Sequence, residues 1–185
     1  MYKLCKTEQS IQRQRQLEQG LLQLMQVNRY EEISISDLCQ RMKVPRKSFY
    51  RYFSSKDGAL FALLDHTMLD FYEGSFHGPN RGTALGDLDH FFVFWYEHRD
   101  LLDALKRSGL SGILVERATA LAQRERLMPD QIRTWPVSQQ GLALSFALCG
   151  LMSMIIHWHH QGYQVTPAEM TRLAGSILTR PLIAL

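Results

Sequence analysis

An all-α fold is predicted by three observations on the 185-residue chain. Apolar residues recur at three- and four-residue spacing in one stretch after another, no segment keeps the two-residue alternation of a half-buried strand, and clusters of Gly, Pro, Asn and Ser separate the periodic stretches. An apolar share of 45% is enough for a substantial core in a chain of this length. The sequence contains no internal repeat and no low-complexity tract.

Taken in order, residues 1–9 are polar and are expected to be loose. Over residues 10–27 a helical stripe runs through Ile11, Gln14, Leu17, Leu21, Leu24 and Met25, which predicts a support helix. Ser34 followed by Asp37 has the spacing of a capping box, so a second helix starts near Ile35 and presents Ile35, Leu38, Cys39 and Met42 on one face. Lys43-Val44-Pro45 breaks the period. Proline disfavours a helical residue before it but suits the first position of a helix, so a third helix is predicted from Pro45 to Phe53. Phe49 and Phe53 should pack back on Leu38, Cys39 and Met42, leaving Arg46, Lys47, Ser48, Tyr50 and Arg51 outside. These three helices make a head over residues 1–56.

The remainder, residues 57–185, is predicted as a helical body. Leu60, Phe61, Leu64, Met68, Leu69, Phe71 and Tyr72 follow the head without a linker, and a turn-rich break at 77–82 ends that helix. Helices are expected at 84–97, 100–107 and 113–126, with an irregular segment at 128–136. Residues 134–168 contain no Asp, Glu, Lys or Arg. The strongly apolar part of that stretch, 141–156, is shorter than the ~20 residues of a membrane span. It is therefore read as a helix buried on most sides, by its own core and by a second copy of the chain. Gly150, with Ser145, Ala147 and Ser153 nearby, permits a close approach of helices. Gly162 ends this helix, Thr166 to Glu169 starts the last one, and Met170, Leu173, Ala174, Ile177 and Leu178 form its stripe.

Charge separates the two parts. Residues 1–56 hold eleven Lys or Arg against five Asp or Glu, net +6, while residues 57–185 hold ten against thirteen, net −3. A basic head suits a polyanion; the mildly acidic body is suited to dimerising or to binding something small. Cys5, Cys39 and Cys149 have no metal-type spacing, and reduced thiols in a cytoplasm are the simplest reading. The N-terminal residues carry no apolar core of signal-peptide length. His157 and His160 share a helix face but supply two ligands where a metal needs more, so no metal site and no cofactor is expected. No glycine-rich phosphate loop, GxSxG elbow or HExxH helix is present, so no catalytic residue is assigned and an enzyme is not expected.

Two short amphipathic helices joined by a tight turn form the geometry that lets the second enter a major groove. Six basic and no acidic residues lie between Arg41 and Lys56. Arg and Lys donate to guanine edges or neutralise phosphates, and Ser and Tyr hydroxyls bond phosphate oxygens.

The run ISISDLCQRMKVPRKSFYRYFSSKDGAL also resembles the N-terminal domain of the tetracycline-repressor (TetR) family. Tyr50, Phe53, Lys56 and Leu60 fall on its Tyr-x-x-Phe and Ser-Lys-x-x-Leu positions. The chain departs from the family pattern at three places: Lys43 stands where Gly is favoured in the turn, Pro45 where a Ser or Thr cap is favoured, and Arg29 where a Gly often closes the first helix. Asn28 is then the candidate left-handed residue. The resemblance covers about a third of the chain, roughly residues 10–65. It implies a ligand-responsive repressor that binds a near-palindromic operator as a homodimer through its last two long helices. Arg46 and Lys47, at the N-terminal end of the third helix, are expected at base edges, and matching family positions imply Ser34, Ser48, Tyr50, Tyr52 and Lys56 at phosphates. A regulator of this kind has a ligand cavity in its body, for which Phe91, Phe94, Trp95, Trp135, Phe146, Met152 and Trp158 are the candidate walls and an apolar or aromatic compound the ligand. The alternative is an architectural DNA-binding protein without a ligand, which would bind with little sequence preference.

Overall fold

The computed structural model describes residues 1–75, 84–125, 127 and 130–179. Ten α-helices lie within them: α1 Glu8–Met25, α2 Ile35–Arg41, α3 Arg46–Tyr50, α4 Lys56–Ser75, α5 Ala84–Glu97, α6 Arg99–Arg107, α7 Gly112–Arg124, α8 Asp130–Arg133, α9 Val137–His160 and α10 Pro167–Thr179. A single 3₁₀ turn, Tyr30–Glu32, joins α1 to α2. Among the described residues there is no β-strand, only one isolated bridge between Tyr2 and Phe53. The all-α expectation therefore holds. The turn-rich stretch at 77–82 and Met128-Pro129 lie outside the described residues, but the segment expected to be irregular around them includes the one-turn helix α8.

Two compact units partition the chain. The first comprises Met1–Thr67 and Asp103–Arg117, the second Met68–Leu102 and Ala118–Leu185. The first unit thus carries the expected head, the start of α4 and a later segment from α6 and α7.

In the first unit, α1 begins at a Thr7 cap that exchanges hydrogen bonds with Ser10, and it buries Leu17, Leu21, Leu22 and Met25. Gly20 lets α2 approach, because a Cβ there would strike the thioether of Met42. The end of α1 is closed without a left-handed residue: the backbone N–H of Asn28 and its side-chain amide both donate to the Leu24 carbonyl, at 2.9 and 3.2 Å. Asn28 is not among the positive-φ residues, so the left-handed role expected of it is corrected.

Tyr30 ties the α1–α2 connection to two other places in the chain. Its N–H donates to the Ser108 hydroxyl (2.9 Å) and its own hydroxyl to Asp57 (2.6 Å). Burial first, and the Asp57 carboxylate second, hold this phenol far above the usual tyrosine range, so it remains a donor at any physiological pH.

Two acidic side chains are buried in this unit. Glu18 meets the His66 ring nitrogen at 2.9 Å. Asp65, fully enclosed, receives two hydrogen bonds from Arg117 (2.9 and 2.6 Å) and one from the Tyr2 hydroxyl (2.6 Å), while the Arg117 guanidinium lies 4.7 Å from the Phe61 ring centre. The first residues, expected to be loose, are instead docked. Lys3 N–H donates to the Tyr52 carbonyl (3.0 Å), Ser54 donates to the Met1 carbonyl from both N–H (3.1 Å) and hydroxyl (2.8 Å), and Gln14 donates to the Lys3 carbonyl (3.2 Å). Gly58 allows this approach, since a Cβ there would lie 2.5 Å from the Met1 oxygen.

The second unit packs α10 against α5. Its aromatic centre is Trp158 of α9, whose indole N–H donates to the Val165 carbonyl (2.9 Å) and whose ring meets Phe92, Tyr96 and Tyr163. Gly162, with φ +72°, ends α9 as expected. Thr166 and Glu169 form the reciprocal cap of α10, with bonds of 2.7 and 3.3 Å.

Tyr2→Phe keeps the docked chain but removes the hydroxyl from a buried carboxylate. Such a bond contributes about 1.5–3 kcal/mol. At fixed protein concentration, urea unfolding should show a lower midpoint with an unchanged slope; a wild-type midpoint would mean that the hydroxyl does not anchor the arm.

Candidate nucleic-acid interface

The interface is built on α2, a turn and α3. Ser34 accepts the Asp37 N–H (3.1 Å) and its own N–H donates to the Asp37 carboxylate (2.8 Å). These bonds, from the Ser34 hydroxyl and then its N–H, hold the Asp37 carboxyl below the usual range. The turn closes through Lys43 N–H to Gln40 O (3.1 Å) and Val44 N–H to Cys39 O (2.9 Å). Lys43 adopts φ 53°, the left-handed conformation that glycine takes freely and that costs other residues roughly 1–2 kcal/mol.

Pro45 caps α3, its carbonyl accepting the Ser48 N–H at 2.8 Å. The helix is shorter than expected, five residues, because Arg51 is already its C-cap and Phe53 pairs with Tyr2 instead. A helix this short has no stability of its own. Phe49 and Phe53, both fully buried with ring centres 5.2 Å apart, hold it in place, at about 1.5–3 kcal/mol of burial each. Leu38 and Cys39 are buried on the α2 side. Burial pushes the Cys39 thiol up, with Arg46 opposing, so it is a protonated core residue.

The seven expected DNA-contacting residues fall into two groups. Ser34, Arg46, Lys47 and Tyr50 are exposed and Ser48 is half-buried. Arg46 donates to the Tyr50 hydroxyl (3.2 Å), so these two side chains form one platform. Lys47 has no partner among the described residues. Tyr52 and Lys56 differ. Tyr52 is buried, and the Lys56 ammonium donates to the Tyr30 and Ile33 carbonyls (2.6 and 2.7 Å) while lying 4.2 Å from the Tyr30 ring centre. Lys56 therefore joins the start of α4 to the 3₁₀ turn, a role that its place in a charged run does not signal.

The expected ligand walls are also divided. Phe91, Phe94, Trp95, Met152 and Trp158 are buried, whereas Trp135 is 51% and Phe146 79% exposed, so the last two enclose no cavity within one chain. The Trp95 indole N–H is buried with no hydrogen-bond acceptor among the described residues. Of the histidines, His157 contacts Gln161 (2.9 Å) and His159 is buried beside Tyr163. No three metal-ligating side chains converge among the described residues.

On α9 the exposed positions Leu142, Phe146, Cys149, Gly150, Ser153 and His157 recur at helical spacing, opposite the buried Leu144, Met152, Ile155 and Trp158. Leu142 is 74% exposed, and a Cβ at Gly150 would meet nothing within 4 Å. By length and composition this 24-residue helix could cross a membrane, which the shorter apolar run in the sequence did not suggest.

Comparison with known proteins places these features. The profile of bacterial regulatory proteins of the tetR family matches residues 21–63, the end of α1 through the first turns of α4. The HTH-type dhaKLM operon transcriptional activator DhaS of Lactococcus lactis subsp. lactis (strain IL1403) is 35% identical over 72 residues, which is 35% of this chain and 38% of that protein. The match thus spans less than half of that relative. Among solved structures, a dihydroxyacetone kinase operon activator DhaS superposes with a TM-score of 0.60 at 16% identity, covering 91% of this chain and 95% of that one. The TetR family repressor AlkX from Dietzia sp. strain DQ12-45-1b, described as implicated in biodegradation of n-alkanes, superposes with a TM-score of 0.58 at 21% identity, covering 90% and 93%. At these identities the two structures establish a shared fold.

Replacing Lys56 with Met keeps the stem and removes the ammonium. Unmatched carbonyls should then cost about 1–3 kcal/mol, read as a lower thermal midpoint without DNA. An unchanged midpoint would show that the ammonium is free for other partners.

Proposed function

We propose that this chain, a DNA-binding transcriptional regulator of the tetR family, binds a near-palindromic operator as a homodimer and answers to a small apolar or aromatic ligand in its body. The observation that carries the reading is the outer face of α3. There Arg46, Lys47 and Arg51 stand exposed, with no carboxylate paired to them among the described residues, on a helix fixed from behind by Phe49 and Phe53. Arg46 and Lys47 are assigned to base edges, and Ser34, Ser48 and Tyr50 to phosphates. Tyr52 and Lys56 take the same phosphate role only by giving up burial and two internal hydrogen bonds. We therefore read them as braces of the interface.

The exposed stripe of α9 supports the homodimer. Leu142 and Phe146 offer apolar surface, Gly150 and Ser153 allow backbones to approach, and Leu173 and Leu178 of α10 are exposed as well. A second copy covers such a face in the cytoplasm, where the operator lies, and this is preferred to a membrane because the other face of α9, with Leu144, Met152, Ile155 and Trp158, is already buried within the protein. Trp95 supports the ligand: a buried indole donor without an acceptor suits a compound that carries one polar acceptor on an otherwise apolar body. A dimer seated across successive major grooves excludes other proteins from that DNA, and on this ground the sign of regulation is read as repression rather than enzyme action or architectural packing.

Two measurements test the reading. Lys47→Ala should lose about 1–3 kcal/mol of discrimination at particular base pairs of a duplex selected from a random pool; preference that survives intact would remove α3 as the reader. Gly150→Glu places a charge in the α9 stripe and should convert a dimer to a monomer by light scattering at micromolar concentration. A dimer indifferent to that charge would put the interface elsewhere.

A further inference from the structure

Beside the reading face of α3 lies an open groove of about 370 Å³, formed by the start of α1, the α2–α3 turn and the flank of α3. Arg13, Lys43 and Arg51 line it and no carboxylate does. All three residues are exposed, and none of their charged groups makes a hydrogen bond or ion pair among the described residues. The two acids of α1 are engaged elsewhere: Glu8 accepts a bond from Gln12 (3.0 Å) and the buried Glu18 meets His66 (2.9 Å). Other lining groups, including Gln9, Gln16 and Ser48, bring donors, and a smaller groove continues along α1 past Gln9, Gln12, Arg13 and Gln16. Gln9, Arg13 and Gln16 fall at i, i+4 and i+7, one face of α1.

We propose that this groove seats a backbone phosphate of duplex DNA lying outside the base pairs read by α3, with Arg13, Lys43 and Arg51 as its counter-charges. The inference rests on the DNA-binding reading above and extends its footprint to α1. Three separate features carry it. Three cations and several donors share the lining with Leu17, Met42, Val44 and Pro45, and with no acid among them its charge suits an oxyanion. Ser48 and Arg51 adjoin Lys47 on α3, so the groove continues the reading face. Lys43 holds a left-handed backbone that glycine would adopt without strain, and a strained residue that places a charge at a groove mouth points to use of that charge. The start of α1 adds a helix N-terminus of the right polarity.

The experiment measures anisotropy on two duplexes, one ending at the selected site and one extended on both sides, from 50 to 200 mM salt. Wild type should gain affinity from the extension. Arg13→Gln and Arg51→Gln should each lose part of that gain and flatten the salt dependence by about one charge per subunit, roughly three- to fourfold across this salt range, with base preference unchanged. Lys43→Gly keeps the result independent of folding: it should bind the long duplex more weakly while unfolding at a higher temperature. If the Arg13→Gln, Arg51→Gln double variant kept wild-type affinity and salt slope on the long duplex while Lys47→Ala lost its base preference, the groove would not be a phosphate seat and the reading helix would stand. If wild type itself ignored sequence and Lys47→Ala changed nothing, the DNA-reading assignment would fall first. Inorganic phosphate that raised the thermal midpoint at millimolar concentration, with no gain from duplex extension, would identify a free-anion site instead and overturn the proposal.

Discussion

A carboxylate shut away from water must be met by charge and by hydrogen-bond donors or it will not remain ionised there. Asp65 sets this condition for the first unit. Its carboxylate draws Arg117 from α7 and Tyr2 from the start of the chain onto α4, and Arg117 adds its stacking on Phe61. Glu18 does the same for α1 and His66. These pairs convert an otherwise apolar contact between helices into one with a single register, since a shift of one turn would leave a buried charge alone.

The helix that faces outward has the opposite construction. With five residues, α3 owes its shape to Phe49, Phe53, Pro45 and the residues 1–3 that pair beyond its end, while its charged side chains have little structural duty. Rigid placement and free charge are therefore separated along one short segment. Lys56 is the exception, a cation in a basic run that is spent on two carbonyls and a tyrosine ring.

Features written in local sequence were legible. The Ser34–Asp37 and Thr166–Glu169 boxes need only a three-residue spacing, and the Leu88, Phe91, Phe92 and Trp95 stripe needs only the helical period; all are present. Contacts between distant polar residues were not. Tyr2 and Arg117 lie 63 and 52 residues from Asp65, and no periodicity marks such partners. Exposure was equally hidden: Trp135 and Phe146 have the composition of core or ligand wall, yet face outward on a single chain. At Lys43 the absence of glycine gave the right position for strain, but only the backbone shows that lysine accepts the left-handed turn. The outward placement of Arg46, Lys47 and Tyr50 was legible because outward phase follows from the buried phase of Phe49.

The pairing of residues 1–3 with 52–54, and of Asp65 with Arg117, also sets an order of events on the ribosome. Apart from the Gln14 bond to Lys3, the segment made first has no partner until residues 52–54 emerge, and the carboxylate that anchors it has no guanidinium until residue 117 does. At synthesis rates of ~5–20 residues per second, the nascent head therefore waits on the order of ten seconds before its last charge is matched. The part of the protein translated earliest therefore settles only after the first segment of the second unit, Met68–Leu102, has also been made.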